Sequence, residues 1–371
     1  MSLVEQIWES DTLPARAARL LLTPAERLFA AIVSRRNAAF DGRPLRPSPL
    51  PALSVGNLTV GGTGKTPVAA WCTRELRARG AKPSIVLRGY GDDEWRVHAL
   101  LNPDLPVLVT PDRTGGMTAA RSRGADCAVL DDAFQHRHAA RVADVVLLSA
   151  DRWRTPVRLL PAGPFREPLR ALRRADVAVV TVKAAGAAAV AEVEAAIERE
   201  APGVARAVIR LVPGKIRLAA TIDSAALVAH GRSAGTGARA GRRAPDDPML
   251  SHAPTWLAGR PVVATSAIGD PEAFVAQLRA LGADVRHEVR FPDHHDYGPG
   301  DVSRIVRLAE GTDGAVCTLK DAVKLQRLWP REAPPLWYVS QSVVVDRGAE
   351  ALDRVFTRVL AARAAMALTA G

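Results

Sequence analysis

The segment LSVGNLTVGGTGKTPVAAW, Leu53 to Trp71, sets a glycine-rich turn between an apolar run and a helical one, and ends that turn on Lys65 and Thr66. Gly61, Gly62 and Gly64 let the backbone approach a polyanion closely. The loop amides, with the N-terminus of the following helix, then point at phosphate oxygens. Thr59, Val60 and Thr63 complete the expected nucleotide cradle. Lys65 is placed to reach the β and γ phosphates of a nucleotide, and the Thr66 hydroxyl to ligate Mg²⁺. Thr59 stands where the G-x-x-x-x-G-K-[ST] pattern has its first glycine, so one residue loses freedom at the mouth of the loop. Gly56 and Gly61 flank it and can make the turn instead. A purely structural turn would not need G-K-T directly between a strand and a helix, so phosphate binding is the expectation.

Four further stretches carry groups of the same kind. A phosphate loop needs an acidic partner for its metal at the end of a neighbouring apolar strand, and CAVLDDAFQH offers Asp131 and Asp132. A surface Asp-Asp turn is the alternative. RGYGDDEW, Arg88 to Trp95, follows a strand at the end where open α/β sheets place ligand contacts. Asp92, Asp93 and Glu94 there read as a general base for phosphoryl transfer or as an ordinary acidic turn. FPDHHDY gathers Asp293, His294, His295 and Asp296, which fit a metal cluster, a catalytic histidine with an orienting carboxylate, or a polar loop. The metal reading lacks the separated aspartate motifs of a two-metal hydrolase. In LLPAGPFREPLRAL, Glu167 is placed to orient metal-bound water and Arg166, Arg170, Arg173 and Arg174 to face an anionic substrate or lipid, unless they line a solvated helix face.

Elements that position these residues are legible as alternating patterns. Strands are expected at Leu53 to Val55, Ser84 to Leu87, Val107 to Val109, Cys127 to Leu130, Val145 to Leu148 and Val177 to Val182, with helices at Thr66 to Arg79 and Ala185 to Glu200. Such alternation implies an α/β fold with a mainly parallel P-loop-type sheet flanked by helices. A second rhythm, strands at 261–266, 285–291, 315–318 and 336–345 with helices at 271–281, 299–309 and 349–365, implies a second, smaller α/β domain. The expected organisation is an N-terminal amphipathic helical segment over 1–45, a P-loop domain over 46–213, a linker over 214–260 and the smaller domain over 261–371. The segment GRSAGTGARAGRRAPDDP, 231–248, has no apolar period and reads as a flexible loop. In the N-terminal segment, Thr23, Pro24 and Glu26 have the spacing of a helix start with a capping box. Leu28, Phe29 and Ile32 follow on one face among arginines, which fits either an anionic membrane interface or ordinary core packing.

Composition limits the choices. The 371 residues exceed one comfortable core, 48% are hydrophobic, and the net charge of +11 favours an anionic partner. Only six of the fifty basic residues are lysines, so each lysine is informative, and Lys65, Lys320 and Lys324 fall inside motifs. Three widely spaced cysteines suit reduced thiols. No run of about 18 apolar residues is present to span a bilayer, and the start MSLVEQIWESD lacks the form of a signal peptide, so a protein kept inside the cell is expected. Aromatics are 5% of residues and no basic run is interleaved with them, which argues against nucleic acid.

Taken in order, VGNLTVGGTGKTP, RGYG, LDDAFQHR, LLPAGPFREPL, AIGDPEAF, FPDHHDY and TLKDAVKL resemble the tetraacyldisaccharide 4'-kinases, the lipid A 4'-kinases of Gram-negative bacteria, along nearly the whole chain. In that family the loop is N-L-T-V-G-G-T-G-K-T, so Thr59 looks like a family trait. The resemblance implies Mg²⁺-dependent transfer of a phosphoryl group from ATP to the 4' hydroxyl of an acylated glucosamine disaccharide 1-phosphate at the cytoplasmic face of the inner membrane. It also implies two α/β domains joined by a β-strand linker and able to hinge shut, and a membrane-contacting N-terminal helix; no obligate protein partner is inferred from the sequence. Its catalytic aspartate and histidine match Asp93 and His294. Here the acidic segment lies closer to R-G-Y-G than is usual and is followed by Trp95, so Asp92 stays a rival. Ala133 replaces a glycine of the family pattern and Leu319 a glutamate. A P-loop ATPase acting as a membrane-surface switch is the alternative function.

Overall fold

A computed structural model describes residues 3–41, 47–89, 93–222 and 250–370. The stretch 231–248 and the rival base Asp92 lie outside the described residues. Along the chain run α1 (Leu3–Glu9), α2 (Leu13–Asp41), β1 (Ala52–Asn57), α3 (Lys65–Ala78), β2 (Pro83–Leu87), α4 (Glu94–Leu101), β3 (Val107–Val109), α5 (Arg113–Ser122), β4 (Cys127–Asp131), β5 (Ala143–Ser149), β6 (Val177–Val182) and α6 (Ala187–Glu200). The chain continues with β7 (Ala205–Leu218), β8 (Ser251–His252), β9 (Pro261–Ser266), α7 (Pro271–Ala280), β10 (Asp284–Arg290), α8 (Pro299–Ala309), β11 (Ala315–Thr318), α9 (Leu319–Leu325), β12 (Leu336–Arg347) and α10 (Ala349–Ala370).

The contacts divide these elements into two compact units. The first holds residues 1–65, 130–209 and 345–371, and the second 66–129 and 210–344. In the first, β1, β5 and β6 are parallel neighbours, each fully buried, so their continuous apolar runs match strands covered on both faces. Val190, Val193 and Ile197 of α6 pack into the same core as Val146, Leu148 and Val180. In the second unit β10, β9, β11 and β12 run parallel in that order, and β2 pairs with β3. Local signals end helices where expected. Gly80 adopts φ 84° after α3, with Gly80 N donating to Arg77 O and Ala81 N to Leu76 O, the paired bonds of a glycine-terminated helix.

One expectation needs revision. The N-terminal helix does not start at Thr23: α2 begins at Leu13 and carries Pro24 inside it. Thr23 Oγ1 donates back to Arg19 O at 3.1 Å, and Glu26, instead of closing a capping box, accepts from Leu159 N at 2.7 Å and Arg158. Tertiary partners for Glu26 outweigh the local start signal. Each unit is assembled from separate stretches of the chain. Segment 66–129 groups with the C-terminal strands because Ile85, Leu87, Val97 and Val107 share one core with Val263, Ile305, Val323 and Tyr338.

Candidate functional site

In the first unit, β1 ends at Asn57 and the chain turns through Thr59, Val60, Gly61, Gly62, Thr63 and Gly64 into Lys65 and α3. Gly61, Gly62 and Gly64 take φ of 76°, 50° and 82°, left-handed values that side chains with a Cβ resist. The loop's shape is set from outside. Val60 N donates to Pro164 O at 2.9 Å and Arg166 N to Leu58 O at 2.7 Å, so the LLPAGPFREP segment clamps its entry. Asn57 Nδ2 donates to Thr63 Oγ1 at 2.8 Å and to Thr59 Oγ1 at 3.3 Å, which gives the threonine in the first-glycine position a structural use. Thr181 Oγ1 and Lys183 Nζ, at the end of β6 and just beyond it, donate to the carbonyls of Thr63 and Gly62 at 3.1 and 3.0 Å. Thr63 N, the amide between those carbonyls, donates to Gly61 O at 2.9 Å, so the curl of the loop is fixed from inside as well.

Gly56 sits opposite Phe134, whose Cβ would lie 2.6 Å from a Cβ added at Gly56, so this glycine is required by close approach of backbones. That approach places the Asp131–Asp132 turn beside β1, with Asp132 N donating to Val55 O at 2.9 Å. Asp131 ends β4 and is 4% exposed. Asp132 adopts φ 50° and is gripped by the Arg166 guanidinium at 2.9 and 3.3 Å. Arg166 also bonds Asn57 Oδ1, tying the acidic turn to the loop. Glu167 is buried and accepts from Asn37 Nδ2 at 2.6 Å and Arg174 at 2.9 Å. Beside Thr59 and Gly61 opens a cavity of about 360 Å³ whose walls include Trp8, Arg152, Trp153 and Arg158.

The second unit holds a different construction. Asp93 caps the N-terminus of α4, its side chain is wholly buried, and neither carboxylate oxygen has a hydrogen-bond partner among the described residues. Its charge is matched at slightly longer range: His294 Nδ1 lies 3.6 Å from Oδ1, with Lys324 Nζ 3.6 Å and Lys320 Nζ 3.8 Å from Oδ2. Burial by itself pushes the Asp93 pKa up. The contact with His294 and the two lysine charges outweigh it and hold Asp93 down at about 2. His294 is shifted up, chiefly by Asp93, against the opposing effects of burial and of the Lys320 charge.

The polar residues of FPDHHDY diverge. His294 takes φ 62° and turns toward Asp93, while His295 stacks on Phe291 and bonds Asp301 at 2.9 Å. Asp293 accepts from Lys320 at 3.1 Å, and Asp296 points to solvent. Among the described residues no group of three or more His, Cys, Asp or Glu is placed to hold a metal. Behind this loop, Asp321 is buried and accepts from Ala267 N, Tyr297 OH and Thr318 Oγ1 at 2.9, 2.9 and 2.6 Å. Burial pushes its pKa up despite those bonds. One carboxylate therefore ties AIGDPEAF, FPDHHDY and TLKDAVKL together, and with them the helix that carries Lys320 and Lys324.

Sequence reasoning paired Asp93 with His294 only through the resemblance. Lys320 and Lys324 were not assigned there, nor was Lys183 at the loop. The signal available was their rarity: of six lysines, four stand at these two places.

Comparison with known proteins agrees with the motif order. The family model for LpxK, tetraacyldisaccharide-1-P 4'-kinase, matches residues 18–361. The chain is 35% identical to the tetraacyldisaccharide 4'-kinase of Anaeromyxobacter dehalogenans (strain 2CP-C), over 95% of this chain and 94% of that one. With the tetraacyldisaccharide 4'-kinase of Halorhodospira halophila (strain DSM 244 / SL1) it shares 34% identity over 96% and 97%. Among solved structures it resembles the "apo" form of LpxK from Aquifex aeolicus, crystallised in complex with ATP, with TM-score 0.63, 26% identity, and 92% of this chain and 99% of that one covered.

Proposed function

Since the chain belongs to the tetraacyldisaccharide-1-phosphate 4'-kinase family, we propose that it transfers the γ-phosphoryl group of ATP to the 4' hydroxyl of a tetraacyldisaccharide 1-phosphate in lipid A biosynthesis. Asp93 carries this reading: a buried carboxylate at a helix N-terminus, faced by a histidine and two lysines, is costly to build and suits a group that must meet a hydroxyl. In the reaction the loop amides and Lys65 hold the β and γ phosphates, and three left-handed glycines allow that approach. The donor set fits Mg²⁺, which keeps most of its waters and needs few protein oxygens: the Thr66 hydroxyl and Asp131 would hold it. Asp132 and Glu167, gripped by Arg166 and by Asn37 with Arg174, orient the surroundings of that ion in place of binding it directly. Held there, Mg²⁺ would supply positive charge that offsets the charge of the phosphates. Asp93, oriented by His294, takes the sugar hydroxyl's proton. With a pKa near 2 it is ionised throughout the working range and serves mainly to align the hydroxyl, as a loose transfer requires.

We further propose that α2 rests on the anionic inner-membrane surface at its cytoplasmic face. Leu13, Leu20, Leu21, Leu28 and Ile32 are 58–81% exposed and fall within about 120° of one another at 100° per residue. Its polar side chains face the protein instead: Glu26 bonds Leu159 N, Ser34 pairs with Arg170, and Asn37 with Glu167. An apolar stripe turned outward, with Arg16, Arg27 and Arg35 exposed nearby, suits a headgroup region. No helix among the described residues is long and apolar enough to cross a membrane.

Incubation of the pure protein with γ-labelled ATP, Mg²⁺ and the acylated disaccharide 1-phosphate in detergent tests the activity. Label on the lipid supports the kinase. Label released only as inorganic phosphate, and stimulated by vesicles, would instead support the surface ATPase.

A further inference from the structure

Lys320 is held more closely by His294 than by Asp93. Its ammonium lies 3.0 Å from His294 Nε2 and 3.1 Å from Asp293 Oδ1, against 3.8 Å from Asp93 Oδ2. An ammonium only donates, so Nε2 must accept, and the proton of a neutral imidazole is then left on Nδ1. Nδ1 is the nitrogen that faces Asp93 at 3.6 Å. The backbone of His294 is fixed as well: Lys324, one turn further along α9, donates to His294 O at 3.2 Å and His295 O at 3.0 Å, and His294 N donates to Asp293 Oδ1 at 3.0 Å. That grip holds a left-handed conformation unusual outside glycine. Because α9 is anchored through buried Asp321, both lysines approach from a rigid base.

We propose that Lys320 is a positioning residue of the transfer reaction, selecting the His294 tautomer with its proton on Nδ1, directed at Asp93, and opposing a second proton at Nε2. The proposal rests on the kinase reading for its consequence in catalysis, though not for the tautomer itself. Every charged group that faces His294 takes part. Asp93 from α4 and Asp293 from the same loop favour the imidazolium, while Lys320 and Lys324 from α9 oppose it. Of the two lysines, Lys320 alone meets a ring nitrogen. Loss of its charge therefore raises the His294 pKa further, and the imidazolium, with protons on both nitrogens, persists to higher pH.

Two measurements test this. Long-range ¹H–¹⁵N NMR of histidine-labelled wild-type protein above neutral pH is expected to show His294 with an unprotonated Nε2. A protonated Nε2 with bare Nδ1 overturns the proposal with no variant needed, and whether or not lipid is labelled. In kinase assays, Lys320→Met is expected to lose about fivefold more kcat near pH 6 than near pH 8, with KM for ATP unchanged, while Lys320→Arg keeps the wild-type profile. An equal loss at both pH values, or an Arg variant no better than Met, would mark Lys320 as a packing residue. If Lys320→Met does not fold, Lys320→Gln takes its place, and the wild-type tautomer still decides.

Discussion

The phosphate loop and the Asp93 cluster are built on opposite principles. Around the loop, backbone does the work: three glycines at positive φ, carbonyls held by Thr181 and Lys183, and an entry clamped by Pro164 and Arg166. The second cluster consists of side chains, with one buried carboxylate, one histidine and two lysines drawn from three separated stretches of chain. Backbone dipoles do not titrate, whereas a cluster of ionisable groups depends on every partner's charge. The loop is expected to tolerate pH changes that the cluster does not.

The sharpest way to break this contrast is to remove one charge from each region. Lys65→Ala is expected to lower turnover by about 10³-fold or more and to weaken nucleotide binding, with an unchanged circular dichroism spectrum. Asp93→Asn should cut turnover by about 10²–10⁴-fold while nucleotide affinity stays near wild type. Asp92→Asn, measured beside it, should be nearly silent, and the reverse pattern would move the base to Asp92.

Next in size is a backbone test. Gly56→Ala places a methyl within 2.6 Å of Phe134 Cβ and 2.9 Å of its amide nitrogen, so β1 and the Asp131–Asp132 turn must part. A loss of about 1–3 kcal/mol in thermal unfolding, with weakened nucleotide binding, is expected.

Changing pH sharpens the comparison from the other side. Asp93 has a folded pKa of about 2, below its ordinary value of 3.8, so its ionisation stabilises the fold fully above that ordinary value. The contribution is lost as pH falls toward 2. His294 is shifted the opposite way, so its contribution is present below its ordinary value of 6.5 and disappears as pH rises through the folded pKa. Asp93→Asn should therefore flatten the acid side of a stability-against-pH curve and His294→Gln the neutral side. Unfolding profiles unaltered by either change would deny the cluster its charges.

These regions also differ in how openly the sequence declares them. Loop residues are contiguous, and glycine, lysine and threonine at fixed spacing state their purpose without tertiary context. Strand and helix limits for β6, β9, α8 and β11 were legible to the residue because apolar runs and caps coincide. Lys320 and Lys324 were only marked by rarity, since their role depends on Asp321 anchoring α9 against two other loops, a contact that no local pattern encodes. Thr23, Pro24 and Glu26 misled for the same reason: Glu26 found partners at Arg158 and Leu159, 132 and 133 residues away.

The smallest expected effect lies away from both regions. Leu20→Glu with Leu21→Glu should weaken binding to anionic vesicles by about tenfold, yet alter activity on detergent-dispersed lipid by less than about twofold. Equal vesicle binding by the variant would remove α2 from the membrane.

Single-turnover transfer by Asp93→Asn, at saturating ATP, Mg²⁺ and acylated disaccharide 1-phosphate, tests the central claim most directly. The account predicts a protein that binds ATP as tightly as wild type and places almost no label on the lipid. Transfer at the wild-type rate by that variant would contradict it.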